Sequence, residues 1–330
     1  MPDIPVDRRP RGPEHYDGAT YYGRNQLNPA PFENSVVGGY VFLAGLSGAA
    51  QIISTLADLV GRRGSGGLVR RGRYLSLAAP LLGAPLLIYD LHTPKRFYNM
   101  FRIFRPTSPM SIGTWILTAF SGFAFLTAGL QFLGDRRRTH RWTRPAARAT
   151  QIPAAVAGAG LATYTASLLS ATSTPLWAAA PKALSVRFGA SSFASGAAAL
   201  AIGERNGGNP SLADDLDTFA LAALAVEWAG MLASRRTYAE KGISAAVHSQ
   251  PAAVERIGVD GIGIALPIAL KVASGVLGER GGALSKLGSL AILAGSLTLR
   301  ISVMAAGDES ALRPQDSFRF AKPRNVPENR

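Results

Sequence analysis

The chain has 330 residues, of which 47% are hydrophobic, and its 35 Lys and Arg against 21 Asp and Glu give a formal net charge of +14. With no cysteine, it cannot hold a thiolate zinc site, an iron–sulfur cluster, a disulfide or a cysteine nucleophile. Its four histidines (His15, His92, His140 and His248) lie in tails, loops or span ends. A haem held by two membrane-embedded histidines therefore has no ligands in this sequence.

Charged residues are nearly absent from several stretches of about 20 residues, the length of helix that crosses a hydrocarbon core of about 30 Å. Backbone polar groups must be satisfied within the segment in lipid, and the alternation typical of barrel strands is missing, so the stretches predict helices. The predicted spans cover about residues 36–58, 73–91, 111–133, 149–171, 187–203, 215–233, 257–278 and 283–305. The sequence thus predicts an all-α, eight-helix membrane domain, residues 35–306, between polar tails at 1–34 and 307–330.

Small residues crowd two of these spans, with Gly45 and Gly48 in the first and Gly189 and Gly196 in the fifth. Without a hydrophobic drive between helices in lipid, such residues allow close backbone approach and van der Waals packing. We therefore expect a tightly packed bundle.

Lysine and arginine placement predicts the orientation. The first and third loops carry five and six arginines, against four Lys and Arg in the second loop, although the sixth loop runs against this trend. Because positive loops favour the cytoplasm, we expect a multi-pass protein of the inner (cytoplasmic) membrane with both termini outside. The basic loops also attract anionic membrane lipids. The net charge is thus mostly a topology signal, and no nucleic acid partner is expected.

The stretch from Leu87 to Trp115 carries the most chemistry. Asp90 ends an apolar span and is followed by His92, Pro94 and Arg96. A carboxylate, an imidazole and a guanidinium at a membrane boundary could bind and deprotonate a polar headgroup. The alternative is that Asp90 and Arg96 form an ion pair that fixes the turn.

Two segments in this stretch resemble a known family. Asp90–Phe97 (DLHTPKRF) and Pro106–Trp115 (PTSPMSIGTW) are similar to the D-L-G-x-P-x-R-F and P-T-S-P-M-S-x-G-x-W segments of NrfD-like, polysulfide-reductase-type membrane subunits. His92 departs from the glycine that is usual in the family. Weaker similarity covers about residues 36–307, including Tyr40–Gly48, Tyr164–Thr165, Pro175–Trp177, Phe188–Gly196 and Leu299–Arg300.

This resemblance implies an eight-helix subunit of a respiratory complex that reacts with a quinone or quinol, either menaquinone or ubiquinone. The implied partners are a ferredoxin-like subunit with [4Fe–4S] clusters and a molybdopterin-type catalytic subunit. The missing cysteines agree with this division of labour, because the electron carriers would lie on another subunit.

The resemblance also implies roles for the site residues. Tyr164 would donate a hydrogen bond to the headgroup, Asp90 would accept a proton, and Arg96 would tune that carboxylate. Tyr40 and His92 would help to line the quinone pocket. Without the family, either tyrosine could instead be an amphipathic boundary residue.

Three residues of the second family segment, Ser108, Ser111 and Trp115, are further candidates for quinone binding. The alternative for each of them is an ordinary role in the turn and the start of the next helix.

Three ionisable residues lie inside the second group of spans: Glu227, Lys271 and Arg300. From the helical rise, Glu227 and Arg300 are expected to approach one another while Lys271 lies closer to the inner face. They form either part of a proton path or a buried ion pair that specifies packing. Asp58, near the inner end of the first span, is expected to be a solvated boundary residue.

These intramembrane charges keep a second class of function open, a secondary transporter or a proton-conducting module. Transporters often contain inverted repeats, but residues 36–171 and 187–305 show no clear self-similarity. A third possibility is a membrane anchor without an occupied quinone site. The sequence carries no paired metal-ligand motif.

Overall fold

A computed structural model describes residues 27–61, 64–91, 93–136, 142–243, 249–277 and 282–321. Within these ranges the protein forms helices and turns, without a strand. The α-helices are α1 (Asn34–Val60), α2 (Gly66–Leu75), α3 (Ala84–Asp90), α4 (Pro109–Arg136), α5 (Thr143–Ser170), α6 (Pro175–Ala179), α7 (Pro181–Asn206), α8 (Pro210–Lys241), α9 (Gln250–Glu255), α10 (Leu266–Leu277), α11 (Gly282–Ala311) and α12 (Pro314–Ala321). Two π-helical segments, Ala79–Gly83 and Arg256–Ala265, and a 3₁₀ helix, Pro94–Phe101, interrupt them.

Six helical segments of the described ranges are long and apolar enough to cross a membrane: α1, α4, α5, α8, the run from α9 through α10, and α11. A seventh is added if the bent stretch from α2 to the 3₁₀ helix is one span. The remaining predicted span, the fifth, overlaps α7, which has 26 residues but is interrupted by charged residues near both ends. The all-α membrane bundle is thus confirmed, and the lower count reflects one broken and one less apolar segment.

The first helix, α1, is central because it packs against α5, α7 and α11. Glycines make these contacts close: a Cβ on Gly158 of α5 would stand 2.9 Å from the carbonyl oxygen of Gly48, and a Cβ on Gly196 of α7 would stand 2.9 Å from Ala49. Any larger side chain would push the helices apart. The small residues therefore bring the helix backbones together, as the sequence predicts.

The second predicted span is broken by prolines. Pro80 lies in the π-helical segment Ala79–Gly83, and Pro85 follows at the start of α3. Because proline has no N–H, each removes a backbone hydrogen bond and distorts the helix. After α3 ends at Asp90, the backbone bends by 112° into the 3₁₀ helix Pro94–Phe101. The break leaves Asp90 at a helix end near the first turn of α1.

Asp58 is not the solvated boundary residue that the sequence suggests. Its carboxylate accepts hydrogen bonds from Arg73 Nη2 at 3.2 Å, Arg148 Nε at 3.0 Å and Gln151 Nε2 at 2.7 Å. Arg73 and Gln151 are buried. Donors that are far apart in sequence thus converge on this carboxylate. It joins α1, α2 and α5 at the end of the bundle opposite Asp90.

Candidate functional site

Three of the predicted site residues converge at one end of the bundle. Tyr40 of α1 lies within electrostatic range of both the Asp90 carboxylate and the Tyr164 hydroxyl. Asp90 is the last residue of α3 and Tyr164 lies on α5. All three side chains are only partly buried. Three separate helices therefore place two phenols and a carboxylate in one region that remains accessible.

Tyr164 is held against the start of α4. Its hydroxyl donates to the carbonyl oxygen of Pro109 at 2.5 Å, and its ring occupies the space that a side chain on Gly113 would need. The Tyr164 ring thus explains sterically why the second family segment has a glycine at position 113. Because the phenol proton is already donated, the Tyr164 oxygen can only accept further hydrogen bonds, and the backbone N–H of Gly113 is one donor within its reach. The role predicted from the sequence, donation to a headgroup, requires this bond to Pro109 to break.

Asp90 has one engaged and one available oxygen. Oδ1 accepts the backbone N–H of Glu33 at 3.0 Å, immediately before α1 begins. Oδ2 makes no hydrogen bond to the residues that the structure describes. The carboxylate therefore fixes the start of α1 while keeping an acceptor that a ligand or a proton can use.

Arg96 and His92 are not part of this convergence. Arg96 is exposed on the 3₁₀ helix, and no ion pair joins it to Asp90 within the described ranges. The ion pair considered as an alternative is accordingly not formed. His92 lies outside the described residues.

Ser108 and Ser111 hold the turn into α4. Ser111 Oγ accepts the backbone N–H of Arg105 at 3.0 Å and donates to the Ile103 carbonyl at 3.3 Å. Ser108 Oγ accepts the backbone N–H of Ser111 at 3.4 Å. These contacts match the structural alternative, in which the serines shape the turn.

Trp115 packs against the segment that precedes α4. Its ring lies edge-on to Phe104, with centroids 6.1 Å apart. Both rings line an open apolar groove of about 650 Å³ between α4 and α5, together with Ile112, Ile152 and Val156. Trp115 is thus placed on the groove that leads along the lipid-facing side of the bundle.

Glu227 and Arg300 are brought together in the second half of the sequence, as the helical rise predicts. Arg300 is 1% exposed, and its Nη1 donates to Ser191 Oγ and Ser296 Oγ, both at 2.6 Å. Its Nη2 donates to Ser192 Oγ at 3.0 Å. Glu227, 2% exposed, lies within reach of Ser191 and within electrostatic range of Arg300.

Lys271 belongs to a different cluster. Its Nζ donates to Asp214 Oδ1 at 3.1 Å and to Asp217 Oδ2 at 3.3 Å, and Arg205 pairs with the same two carboxylates. Ser289 of α11 donates to the other oxygen of Asp217. The predictions from the sequence do not single out this cluster. Asp217, which lies inside the sixth predicted span, is the charged residue that could have indicated it.

A second missed group lies at the opposite end of α7 and α8. Arg187 is 2% exposed and donates to Glu255 at 2.5 Å. The two residues line a cavity of about 180 Å³ together with Arg235, Tyr238 and Arg256. No buried role is predicted for Arg187 from the sequence, because the residue stands at the boundary of the short fifth predicted span. Its spacing of four from Ser191, on one helical face, is the signal that could have found it.

The described residues contain no group of three or more His, Asp or Glu side chains that could hold a metal ion. The carboxylates described above are instead occupied by guanidinium, ammonium, hydroxyl, amide or backbone donors.

The helical membrane bundle and its two motif segments define the class of the protein. The chain belongs to the polysulphide reductase, NrfD, family, whose model matches residues 24–309. It is similar to the C subunit of the polysulfide reductase of Wolinella succinogenes, with 29% identity over 305 residues that cover 81% of this sequence and 92% of the relative. The family predicted from the segments around Asp90 and Ser108 is confirmed, and the protein is a multi-pass membrane protein.

Proposed function

We propose that this protein is the membrane anchor of a respiratory oxidoreductase complex and binds a quinone or quinol beside Tyr40, Asp90 and Tyr164. The convergence of these three side chains at one end of the bundle carries the proposal. Membership of the NrfD family and similarity to a polysulfide reductase subunit support it. The implied partners are a ferredoxin-like iron–sulfur subunit and a molybdopterin-type catalytic subunit in the cytoplasmic membrane.

The available atoms fit the headgroup of a menaquinol or ubiquinol. Asp90 Oδ2 and the Tyr40 hydroxyl have no hydrogen-bond partner in the described part of the protein, and the Tyr164 oxygen has a second lone pair that can accept beside the Gly113 N–H. The apolar groove is lined by Ile112 and Trp115, both within one turn of Gly113 on the same helix, and offers a path for an isoprenoid tail. A bound quinol supplies two electrons and two protons when it is oxidised.

The protein residues would handle the protons. Asp90 can take a proton at Oδ2 while Oδ1 keeps its bond to Glu33, so protonation does not require the start of α1 to move. Tyr164 orients the headgroup by accepting a hydrogen bond, and Tyr40 lies within electrostatic range of both Asp90 and Tyr164. A positioned base of this kind contributes roughly 10²–10⁴-fold to a proton-transfer step. The electrons leave to the partner subunit, because this sequence has no cysteine ligands.

The experiment measures quinone-linked turnover of the purified complex with Asp90→Asn and Tyr164→Phe. Asp90→Asn retains an oxygen that accepts the Glu33 N–H, so we expect an assembled complex whose turnover falls about 100-fold or more. Tyr164→Phe loses the hydroxyl and should raise the KM for quinol.

Two control variants match the chemistry at other positions. Tyr89→Phe removes the hydroxyl of an exposed tyrosine next to Asp90, and Asp135→Asn alters a hydrogen-bonded carboxylate at the far end of α4. Both should keep normal turnover. Normal turnover of Asp90→Asn and Tyr164→Phe in an intact complex rejects the site. An intact complex that binds no quinone at all would instead indicate an anchor without a quinone site.

The buried polar groups of the second half favour a second role, conduction of protons across the membrane. Glu227 stands between the cavity at Arg187 and Glu255 and the cluster at Lys271 and Asp217. We infer that Glu227 carries protons between these two ends. The alternative remains that Glu227 and Arg300 only specify packing.

Glu227→Gln separates these roles when the complex is reconstituted into liposomes with a pH-sensitive dye. Loss of proton movement with retained quinone turnover supports a proton path, whereas retention of both supports packing. A transporter independent of redox chemistry would purify without an iron–sulfur spectrum and would take up substrate in liposomes by itself.

A further inference from the structure

The segment between α3 and α4, here called the boundary segment (residues 94–105), joins the ends of two membrane helices. The backbone leaves α3 at Asp90 with a bend of 112° and enters α4 at Pro109. Only 18 residues separate these two points, so the segment is held at the level where both helices meet the membrane surface. It runs across the helix axes rather than along them.

The three-residue period of its 3₁₀ helix arranges the side chains of the boundary segment along three edges. In a 3₁₀ helix, residues i and i+3 lie above one another. Arg96, Asn99 and the capping residue Arg102 therefore share one edge of Pro94–Phe101. Of the other two edges, one carries Pro94, Phe97 and Met100, and the other carries Tyr98 and Phe101 after Lys95 at its start. The boundary segment is amphipathic, with one cationic edge and two largely apolar ones.

The apolar side chains of the boundary segment are uncovered by the protein. Tyr98 is 54% exposed, Phe101 43% and Phe104 58%. Monomeric soluble proteins rarely leave a patch of this kind in water. The edge-on contact of Phe104 with Trp115, six residues into α4, places the end of the segment beside the lipid-facing groove.

The charge of the segment has one sign. Lys95, Arg96, Arg102 and Arg105 occur in a stretch of sequence that has no Asp or Glu between Asp90 and Asp135. None of the four cations forms an ion pair with a residue that the structure describes. Their charges are available to an external anion.

We propose that the boundary segment lies in the headgroup layer of the bilayer and binds anionic phospholipids. Its aromatic rings enter the boundary with the acyl chains, where such rings are favoured, and its cationic edge contacts lipid phosphates. The bilayer is favoured over a protein partner because both flanking helices hold the rings at membrane level. This assignment is independent of quinone binding.

Because the sequence has no cysteine, single-cysteine variants can be labelled specifically. Phe101→Cys carries a spin label on an apolar edge, and Ser173→Cys carries it on an exposed turn after α5 at the same end of the bundle. The full-length protein is placed in nanodiscs of phosphatidylcholine with or without phosphatidylglycerol. Collision with oxygen should exceed collision with a water-soluble nickel complex at residue 101, and the reverse is expected at residue 173.

The anionic-lipid part is tested with a bimane label at residue 101 and brominated lipids. Brominated phosphatidylglycerol should quench the label several-fold more effectively than brominated phosphatidylcholine. Arg102→Gln with Arg105→Gln should abolish this preference, whereas the control pair Lys182→Gln with Arg236→Gln, exposed cations elsewhere at this end, should retain it.

Equal quenching by both lipids would overturn the role of the phosphate contacts. A label at residue 101 that is water-accessible in nanodiscs would overturn the whole proposal. If that label became protected only after the iron–sulfur subunit was added, the boundary segment would be a protein-docking surface instead.

Discussion

The two halves of the bundle use polar groups in opposite ways. At the end of the first half, Asp90 and Tyr164 each hold one protein partner and keep an acceptor that can still be used. In the second half, Arg300 is buried and both of its terminal nitrogens donate to protein oxygens. A site for a ligand needs accessible atoms that are still unpaired, whereas a buried charge is tolerable only when it is compensated. The Asp90 end of the first half therefore keeps acceptors that the proposed quinone could use, whereas the buried Arg300 of the second half is held by protein partners.

The strongest way to break this comparison is to remove the buried cation with Arg300→Met. Ser191, Ser192 and Ser296 then lose their donor, and Glu227 loses one of its two nearby cations. Removing one member of a buried charged group typically destabilises a protein by roughly 3–5 kcal/mol. Thermal unfolding of the purified protein in detergent should show a larger loss of stability for Arg300→Met than for Gly113→Ala or Ser108→Ala.

Arg300→Lys is the matched control, because it keeps the charge but not the fork of donors. Its stability should lie between those of the wild type and Arg300→Met. A stable Arg300→Met protein would mean that Glu227 is neutral or hydrated, and the distinction between the halves would fail.

A smaller effect is expected at Gly113, where the Tyr164 ring leaves no space for a side chain. Gly113→Ala should displace Tyr164 and weaken its bond to Pro109, with an overpacking cost of about 1–3 kcal/mol. The KM for quinol should rise and the thermal stability should fall. These two measurements together report on the position of Tyr164 at the proposed quinone site.

Gly122→Ala is the matched variant on the same helix, because a Cβ at Gly122 meets no atom within 4 Å. It should leave both the KM and the stability unchanged. An equal effect of the two substitutions would show that α4 itself, and not the position of Tyr164, responds to the loss of glycine.

The sequence predicts the membrane helices well because hydropathy is a local property. The apolar runs behind α1, α4 and α5 are visible without any partner, the first family segment points to Asp90, and the weaker similarity around residue 164 points to Tyr164. The bond from Tyr164 to Pro109 was not predictable, since it depends on the distance between α4 and α5. The same holds for Asp58, whose donors Arg73, Arg148 and Gln151 come from α2 and α5. A single position cannot show how many donors will converge on it.

Helix ends were the other weakness. The fifth span was predicted to begin at residue 187, whereas α7 runs from Pro181 to Asn206. A span predicted from hydropathy ends at a charged residue. The helix itself can continue when the charge has a partner, as Arg187 has in Glu255. A search for apolar runs therefore ends a helix too early where a buried ion pair lies near the helix end.

The smallest expected effect tests whether Ser108 belongs to the ligand site or to the turn. Its hydroxyl accepts the Ser111 N–H at 3.4 Å, in the position of a helix cap before α4. Loss of such a cap by Ser108→Ala typically costs about 1 kcal/mol, and the long contact places the effect at the lower end. The KM for quinol should stay at the wild-type value, measured in the assembled complex beside Tyr164→Phe. A KM that rises as much as in Tyr164→Phe would move Ser108 into the quinone pocket, because the loss of a cap alone leaves the Tyr164 oxygen and Asp90 Oδ2 in place.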